Sequence, residues 1–231
     1  DDRVVYTGQF SGPGTGSELD NLLRQANATA ASFFANAIDT ESKGIDAVVT
    51  WDLVVAHNAK LKNTLSATLS KTKQVGDIKA SQVLRDAGLV NTYFPEDSRV
   101  YLEEAVPRTK LNLSHMVNVD KMNIFLRNVY FGKVTEATTN VGLQQEFSSK
   151  VVTDLSIGYN LSESTTITIG ANNLLDIFPD RAKESISYID SNGDPQTGTN
   201  RSSGRFDWSR RAQQFGIGGR FLFARLSFAL R

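Results

Sequence analysis

Apolar and polar residues alternate along much of the chain. Between 44 and 53, Ile45, Ala47, Val49, Trp51 and Leu53 take one parity, while Asp46, Thr50 and Asp52 take the other. The same period of two recurs at 60–70 (Leu61, Leu65, Ala67 and Leu69), 109–119 (Leu111, Leu113, Val117 and Val119) and 150–161 (Val151, Leu155, Ile157, Tyr159 and Leu161). It continues at 165–171 (Ile167, Ile169 and Ala171) and at 222–230 (Leu222, Ala224, Leu226, Phe228 and Leu230). Successive side chains of a strand point to opposite faces, so each stretch predicts a strand with one apolar face. Segments 3–10 and 121–136 alternate less cleanly but are rich in β-branched and aromatic residues, which favours strands as well. The total is about eight strands, several longer than the ~5–6 residues usual in soluble sheets.

The predicted connections alternate in length. Short ones fall at 56–60, 119–122 and 161–165, and long ones at 11–41, 75–104, 137–146 and 176–212. Tight turns impose sequential antiparallel pairing, so the fold class expected is all-β, an up-and-down antiparallel meander. Short turns at one end and long loops at the other are the pattern of an outer-membrane barrel, with turns in the periplasm and loops outside. By this count both ends of the chain are periplasmic. The polar parity carries small, amide and scattered charged residues, as a wet lumen does. A soluble sandwich or lipocalin-like barrel shows the same alternation with its apolar face turned inward. Within the long connections, Ile78, Val83 and Leu84 have helical spacing in 77–88, with Gly88 as a stop, and a second helix is expected over 17–26.

Composition narrows the function classes. The 25 basic residues balance 25 acidic ones, and no block of like charge supplies the field of a nucleic-acid binder. There is no Cys, which excludes disulfide scaffolds and thiolate metal sites. A membrane-crossing helix needs about 20 mostly apolar residues, and the apolar runs at 53–56 and 221–224 are far shorter. Barrel strands leave no such run.

Four segments, quoted in full, resemble the TonB-dependent outer-membrane receptors. "FFANAIDTESKGIDAVVTWDL" (33–53) is similar to the family pattern in which an Asn, a polar run and Lys-Gly-Ile-Asp open a barrel strand. "TTITIGANNLLDIFPD" (165–180) resembles the penultimate strand, and "FGIGGRFLFARLSFAL" (215–230) the last, while "NIFLRNVYFGKVTEA" (123–137) fits a late strand. The usual terminal aromatic is displaced, since Ala229, Leu230 and Arg231 follow Phe228. The family barrel has about 22 strands around a plug. The resemblance therefore implies that 1–231 is the C-terminal portion of such a barrel, without plug or early strands. It implies import of a scarce nutrient (iron-siderophore, cobalamin, glycan or peptide) with energy from TonB, which would contact an N-terminal segment outside this chain. It further implies residence in the Gram-negative outer membrane, against lipid and lipopolysaccharide. Neither catalysis nor a cofactor is implied. The alternative is a stand-alone eight-stranded barrel with a structural or adhesive role, since eight strands close alone.

Candidate chemistry sits mainly in the long connections. Phe33 and Phe34, Tyr93 and Phe94, and Phe206 and Trp208 are aromatic pairs that either stack on an imported ligand or pack loop against loop and in the aromatic girdle. Arg205, with Arg210 and Arg211, either meets the ligand's negative charge or faces lipopolysaccharide as surface charge. Asp190, Asn192 and Asp194 offer oxygen donors for calcium, but Pro195 and Arg201 stand where an EF-hand needs Gly and Glu. His57 falls in a predicted turn and His115 on an apolar face, with no second ligand at metal spacing. Ser114, His115 and Asp120 make no triad, because neighbouring strand residues point to opposite faces. Gly12, Gly14 and Gly16 resemble a phosphate-binding loop, yet the third comes one position early and no Lys follows. They are read as a sharp turn into the first long loop.

Overall fold

The computed structural model describes residues 4–6, 25, 27, 30–32, 36–80, 82–86, 88, 90, 94–138, 140–200 and 202–229. The chain folds around one seven-stranded antiparallel meander. Its strands are β3 (Asp39–Ala56), β4 (Ala59–Val75), β5 (Thr109–Val119), β6 (Met122–Phe131), β9 (Lys150–Asn160), β10 (Thr165–Asn172) and β13 (Phe221–Phe228). The first two run 18 and 17 residues. Three shorter hairpins stand apart: β1 (Val4–Tyr6) with β2 (Ala30–Ser32), β7 (Val134–Glu136) with β8 (Gln145–Phe147), and β11 (Ile186–Ile189) with β12 (Pro195–Gly198).

The first of these corrects the expected eighth strand. Val4–Tyr6 pairs locally with Ala30–Ser32 and does not join the wall, so seven strands share the sheet. The strand expected over 121–136 also divides. Gly132 N–H donates to Thr109 O at 2.8 Å, closing β6 against β5, and the following residues leave to pair with β8. Among the described residues no pairing joins β3 to β13, so the sheet stays open.

Turn lengths follow the expected alternation. All three tight turns, at 57–58, 120–121 and 161–164, lie at one end of the sheet, and the long connections all lie at the other. Asp120 takes a left-handed φ of 49° in its turn, and its carboxylate accepts Asn58 Nδ2 at 2.7 Å, tying two neighbouring turns together.

Register aligns the apolar parities of all seven strands. Leu53, Leu61, Val117, Ile124, Ile157, Ile169 and Ala224 form one continuous cross-strand row. The other face mixes polar groups with aromatics, as in the row Asp52, Lys62, Met116, Phe125, Ser156, Gly170 and Phe223. A sheet that fed a dry core would bury the first face. Here Ile45 is 67% exposed, Val49 55%, Ile169 58% and Leu222 69%.

Apart from Ala59 beside the first tight turn, the buried apolar residues lie at the long-connection end instead. Ala105, Val134, Phe147 and Ala212 form a cluster with Tyr101 packed against it. It is held from one side by the helix Glu96–Glu103, which starts after extended Pro95 and carries Glu96 and Asp97 in its first turn, where the helix dipole favours acids. Arg99 pairs with Glu96 and with Glu103 (2.7 Å), and Glu103 Oε1 accepts Gln74 N–H at 2.8 Å, fixing the helix to β4. Of the helix expected at 77–88, Gln82–Asp86 is helical among the described residues, and 77–80 are not. The one expected over 17–26, and the glycines before it, lie outside the described residues apart from Gln25.

Candidate functional site

The segment 200–217 builds a platform over the long-connection end. Asn200 Oδ1 accepts the N–H groups of Ser202 and Ser203 at 2.9 and 2.8 Å, so the chain turns tightly there. Ser202 then closes the loop that follows: its carbonyl accepts Arg205 and Phe206 N–H at 3.0 and 3.1 Å, and its hydroxyl accepts Arg210 N–H at 2.8 Å. Ser209 Oγ accepts Ala212 N–H at 2.8 Å, which starts the descent into the buried cluster. Gln214 Nε2 donates to Gly132 O (2.6 Å) and Ser148 O (3.0 Å), and the Phe215 ring lies 5.2 Å from that of Phe131. The platform is thus pinned to the ends of β6 and β9.

A second loop supports it from the side. Trp208 stacks on Phe178 with centroids 5.9 Å apart and planes 19° off parallel, and Ala182 N–H donates to Asp207 O at 2.9 Å. The Phe178 loop is itself anchored through Asp180, whose carboxylate accepts Ser148 N–H (2.5 Å), Ser148 Oγ (2.6 Å) and Lys150 Nζ (2.6 Å). Burial opposes the charge on Asp180, but the Lys150 ammonium and the Ser148 donors outweigh it and hold its pKa below the ordinary value.

Between these supports opens a surface cavity of about 550 Å³, lined among others by Arg205, Phe206, Asp207, Trp208, Arg210 and Gln213. The Arg210 guanidinium lies over the Phe206 ring at 5.7 Å, so a cation and an aromatic face share one wall. Trp208 Nε1 is buried with no hydrogen-bond partner among the described residues. Two guanidinium groups face one carboxylate, which leaves the cavity with an excess of positive charge and flat apolar surface. Such a lining suits a ring-bearing anion.

The structure therefore brings Arg205, Phe206 and Trp208 together with Arg210. Arg211 turns away and covers the Tyr101 ring at 5.0 Å. Phe94 is half-buried beside Val90, whose carbonyl accepts its N–H at 3.2 Å, and does not line the cavity. Phe33, Phe34 and Tyr93 lie outside the described residues. Sequence reasoning missed Asp207, Gln213 and the support of Phe178, which no periodicity marks.

The other candidates have local roles. Asp190 Oδ1 accepts the N–H groups of Asn192 and Asp194, both at 2.9 Å, and Oδ2 accepts Gln196 Nε2 at 3.1 Å. These bonds, Asp194 N–H first, hold the Asp190 pKa low and spend its oxygens on closing the β11–β12 hairpin. Among the described residues no group of three or more His, Cys, Asp or Glu is placed to hold a metal. His57 occupies the first tight turn. His115 Nδ1 lies 2.6 Å from Asn63 Oδ1 on the apolar face, and Asn63 is buried. Ser114 lies on the opposite face and donates to Thr64 O at 3.5 Å.

No protein-family model matches the chain, and no curated protein matches it. Among solved structures it is similar to the pyoverdine outer membrane receptor FpvA of Pseudomonas aeruginosa bound to pyoverdine, with 11% identity and a TM-score of 0.45 over 88% of this chain and 23% of that one. A mutant of the ferric enterobactin receptor PfeA from the same organism gives 15% identity and a TM-score of 0.41, covering 79% of this chain and 22% of that one. The ferripyoverdine receptor of the P. aeruginosa outer membrane, bound to ferripyoverdine, gives 11% and 0.39, covering 80% and 19%. The chain spans less than a quarter of the length of each.

Proposed function

We propose that the chain is the C-terminal wall of a TonB-energised nutrient importer in a Gram-negative outer membrane, with the cavity at 205–217 forming part of the vestibule that first holds the nutrient. One observation carries the membrane part of this reading: seven register-aligned strands leave a continuous apolar face exposed while the buried core lies at one end. A large exposed apolar surface marks a membrane or partner interface, and strands of 8 to 18 residues include the ~9–11 that a tilted strand needs to cross a bilayer. The gathering of every long connection at one end supports a vestibule on that side. The TonB part rests on the sequence resemblance alone. A stand-alone small barrel needs its edge strands to meet, and the open edges at β3 and β13 favour a larger wall.

The cavity binds rather than catalyses. Its two guanidinium groups meet the anionic groups of a ligand, and Phe206 and Trp208 offer rings to stack on. The reading is tested by growing a deletion strain on ferric chelates, cobalamin, glycans and peptides as alternative nutrient sources. Growth fails on one class and returns with the full-length gene. With Arg205→Gln and Arg210→Gln in that gene, recovery needs on the order of tenfold more nutrient, the worth of a lost charge-assisted hydrogen bond. Parental growth of the deletion strain on every class contradicts the reading.

A further inference from the structure

The apolar face of β3 and β4 changes character abruptly at its long-connection end. Above the cross-strand pair Ile45 and Leu69, the next two pairs on the same face are Lys43 with Lys71 and Glu41 with Lys73. Directly opposed like charges destabilise a sheet, and one acid is set against three bases here. Glu41 pairs with Lys43, and with Lys73 at 3.2 Å, while among the described residues no ion pair is formed by Lys71. The next acid outward, Asp39, is taken by Lys79 at 2.6 Å. The six groups keep a net charge of two positive units around a recess of about 180 Å³ lined by Glu41, Lys43, Lys71 and Lys73. A charge pattern of this kind is balanced by an anion seated between the lysines.

Position identifies the anion's source. The apolar positions from Ile45 to Val55 rise about 23 Å along a strand tilted by about 45°, which matches the ~25 Å apolar band of a membrane barrel. Lys43 and Lys71 project two residues beyond that band, at headgroup level, on the side that faces lipid and not lumen. We infer that Lys43, Lys71 and Lys73 form a docking site for the phosphate of an outer-leaflet lipid, whose acyl chains lie along the Ile45, Leu69, Val49 and Leu65 surface directly below. The inference rests on the membrane-wall reading and adds to it a lipid site separate from the cavity at 205–217. Glu41 sets the site's strength by competing for the same ammonium groups.

The test uses the full-length protein in detergent, titrated with diphosphorylated lipid A, with the same lipid stripped of phosphate, and with inorganic phosphate. Lys43→Gln, Lys71→Gln and Lys73→Gln combined weaken binding of the phosphorylated lipid by about fivefold for each Lys, and Glu41→Gln strengthens it. Lys62→Gln, on the polar face, leaves it unchanged. Added salt weakens the wild-type interaction. Equal binding by wild type and the triple variant overturns the inference. So does equal binding of the dephosphorylated lipid, or inorganic phosphate binding as tightly as the lipid. Heat-modifiable migration on gels separates the two failures. A heat-modifiable protein with unchanged lipid affinity loses the site alone, and one that is monodisperse without detergent and not heat-modifiable loses the membrane reading too.

Discussion

Glu136 is fully buried, and among the described residues one hydroxyl meets its carboxylate: Ser202 Oγ lies 2.6 and 2.7 Å from the two oxygens. That hydroxyl also accepts Arg210 N–H, so one side chain joins a buried acid to the rim of the cavity. A hydroxyl has one proton to give. Removing it takes this hydrogen bond from a buried acid, which costs about 2 kcal/mol. Ser202→Ala should therefore speed amide exchange at Arg210 on the order of thirtyfold, whereas Ser187→Ala, on the exposed face of the β11–β12 hairpin, should leave it within about twofold. Equal exchange in the two variants contradicts this account. The contact was invisible in the sequence, because the partners lie 66 positions apart and Glu136 reads there only as the tail of a strand. Arg205, Phe206 and Trp208 were legible because aromatic and cationic residues crowd a short stretch. Their shared cavity was not, since it depends on Asn200 and Ser202 folding that stretch back on itself.

At the scale of elements, β10 shows how closely the wall is fitted. A Cβ on Gly170 would lie 2.6 Å from the Phe223 ring and 2.8 Å from Leu155 O. The ring fills the place that a side chain would otherwise take, so the strands approach without a gap. Gly170→Val should destabilise the wall by about 1–3 kcal/mol through overpacking, read as a lower temperature for loss of the folded band on gels. Adding Phe223→Ala should recover only part of the loss, because Leu155 O remains in the way. A variant with unchanged transition temperature rules out the close fit. The strands themselves were largely legible: alternation placed β5 over the residues observed, and β9 within one residue of its observed end. It stopped short of 39–43 and 71–75, where charged residues interrupt the apolar parity while the backbone ladder continues. The helix Glu96–Glu103 was missed although Pro95, Glu96 and Asp97 mark its start. The expected helix at 77–88 shrank because its sequence does not sustain helical spacing beyond one short turn.

The whole molecule has two regions with opposite solvent logic. A wall of seven strands exposes its apolar parity, and a loop region at one end buries its own small core around Val134 and Phe147. Water alone does not favour this arrangement, because burying apolar surface is the main driving force of folding. Under the proposed membrane reading, a bilayer around the wall removes the conflict, with the tight turns and the long connections on its opposite sides. The gathering of tight turns and long connections at opposite ends of the sheet was legible in the turn lengths, which depend on local sequence. The count of strands in one sheet was not, because only tertiary pairing decides that Val4–Tyr6 joins Ala30–Ser32. The chain has no Cys, so once any Cys elsewhere in the full-length protein is replaced by Ser, single cysteines carrying a nitroxide can be placed in turn at 45–53 in a lipid bilayer. The account predicts collisions with oxygen peaking at 45, 47, 49, 51 and 53, and collisions with a water-soluble nickel chelate peaking at 46, 48, 50 and 52. Odd positions shielded from both reagents, as in a closed dry core, or equal access to the chelate at both parities, would contradict it.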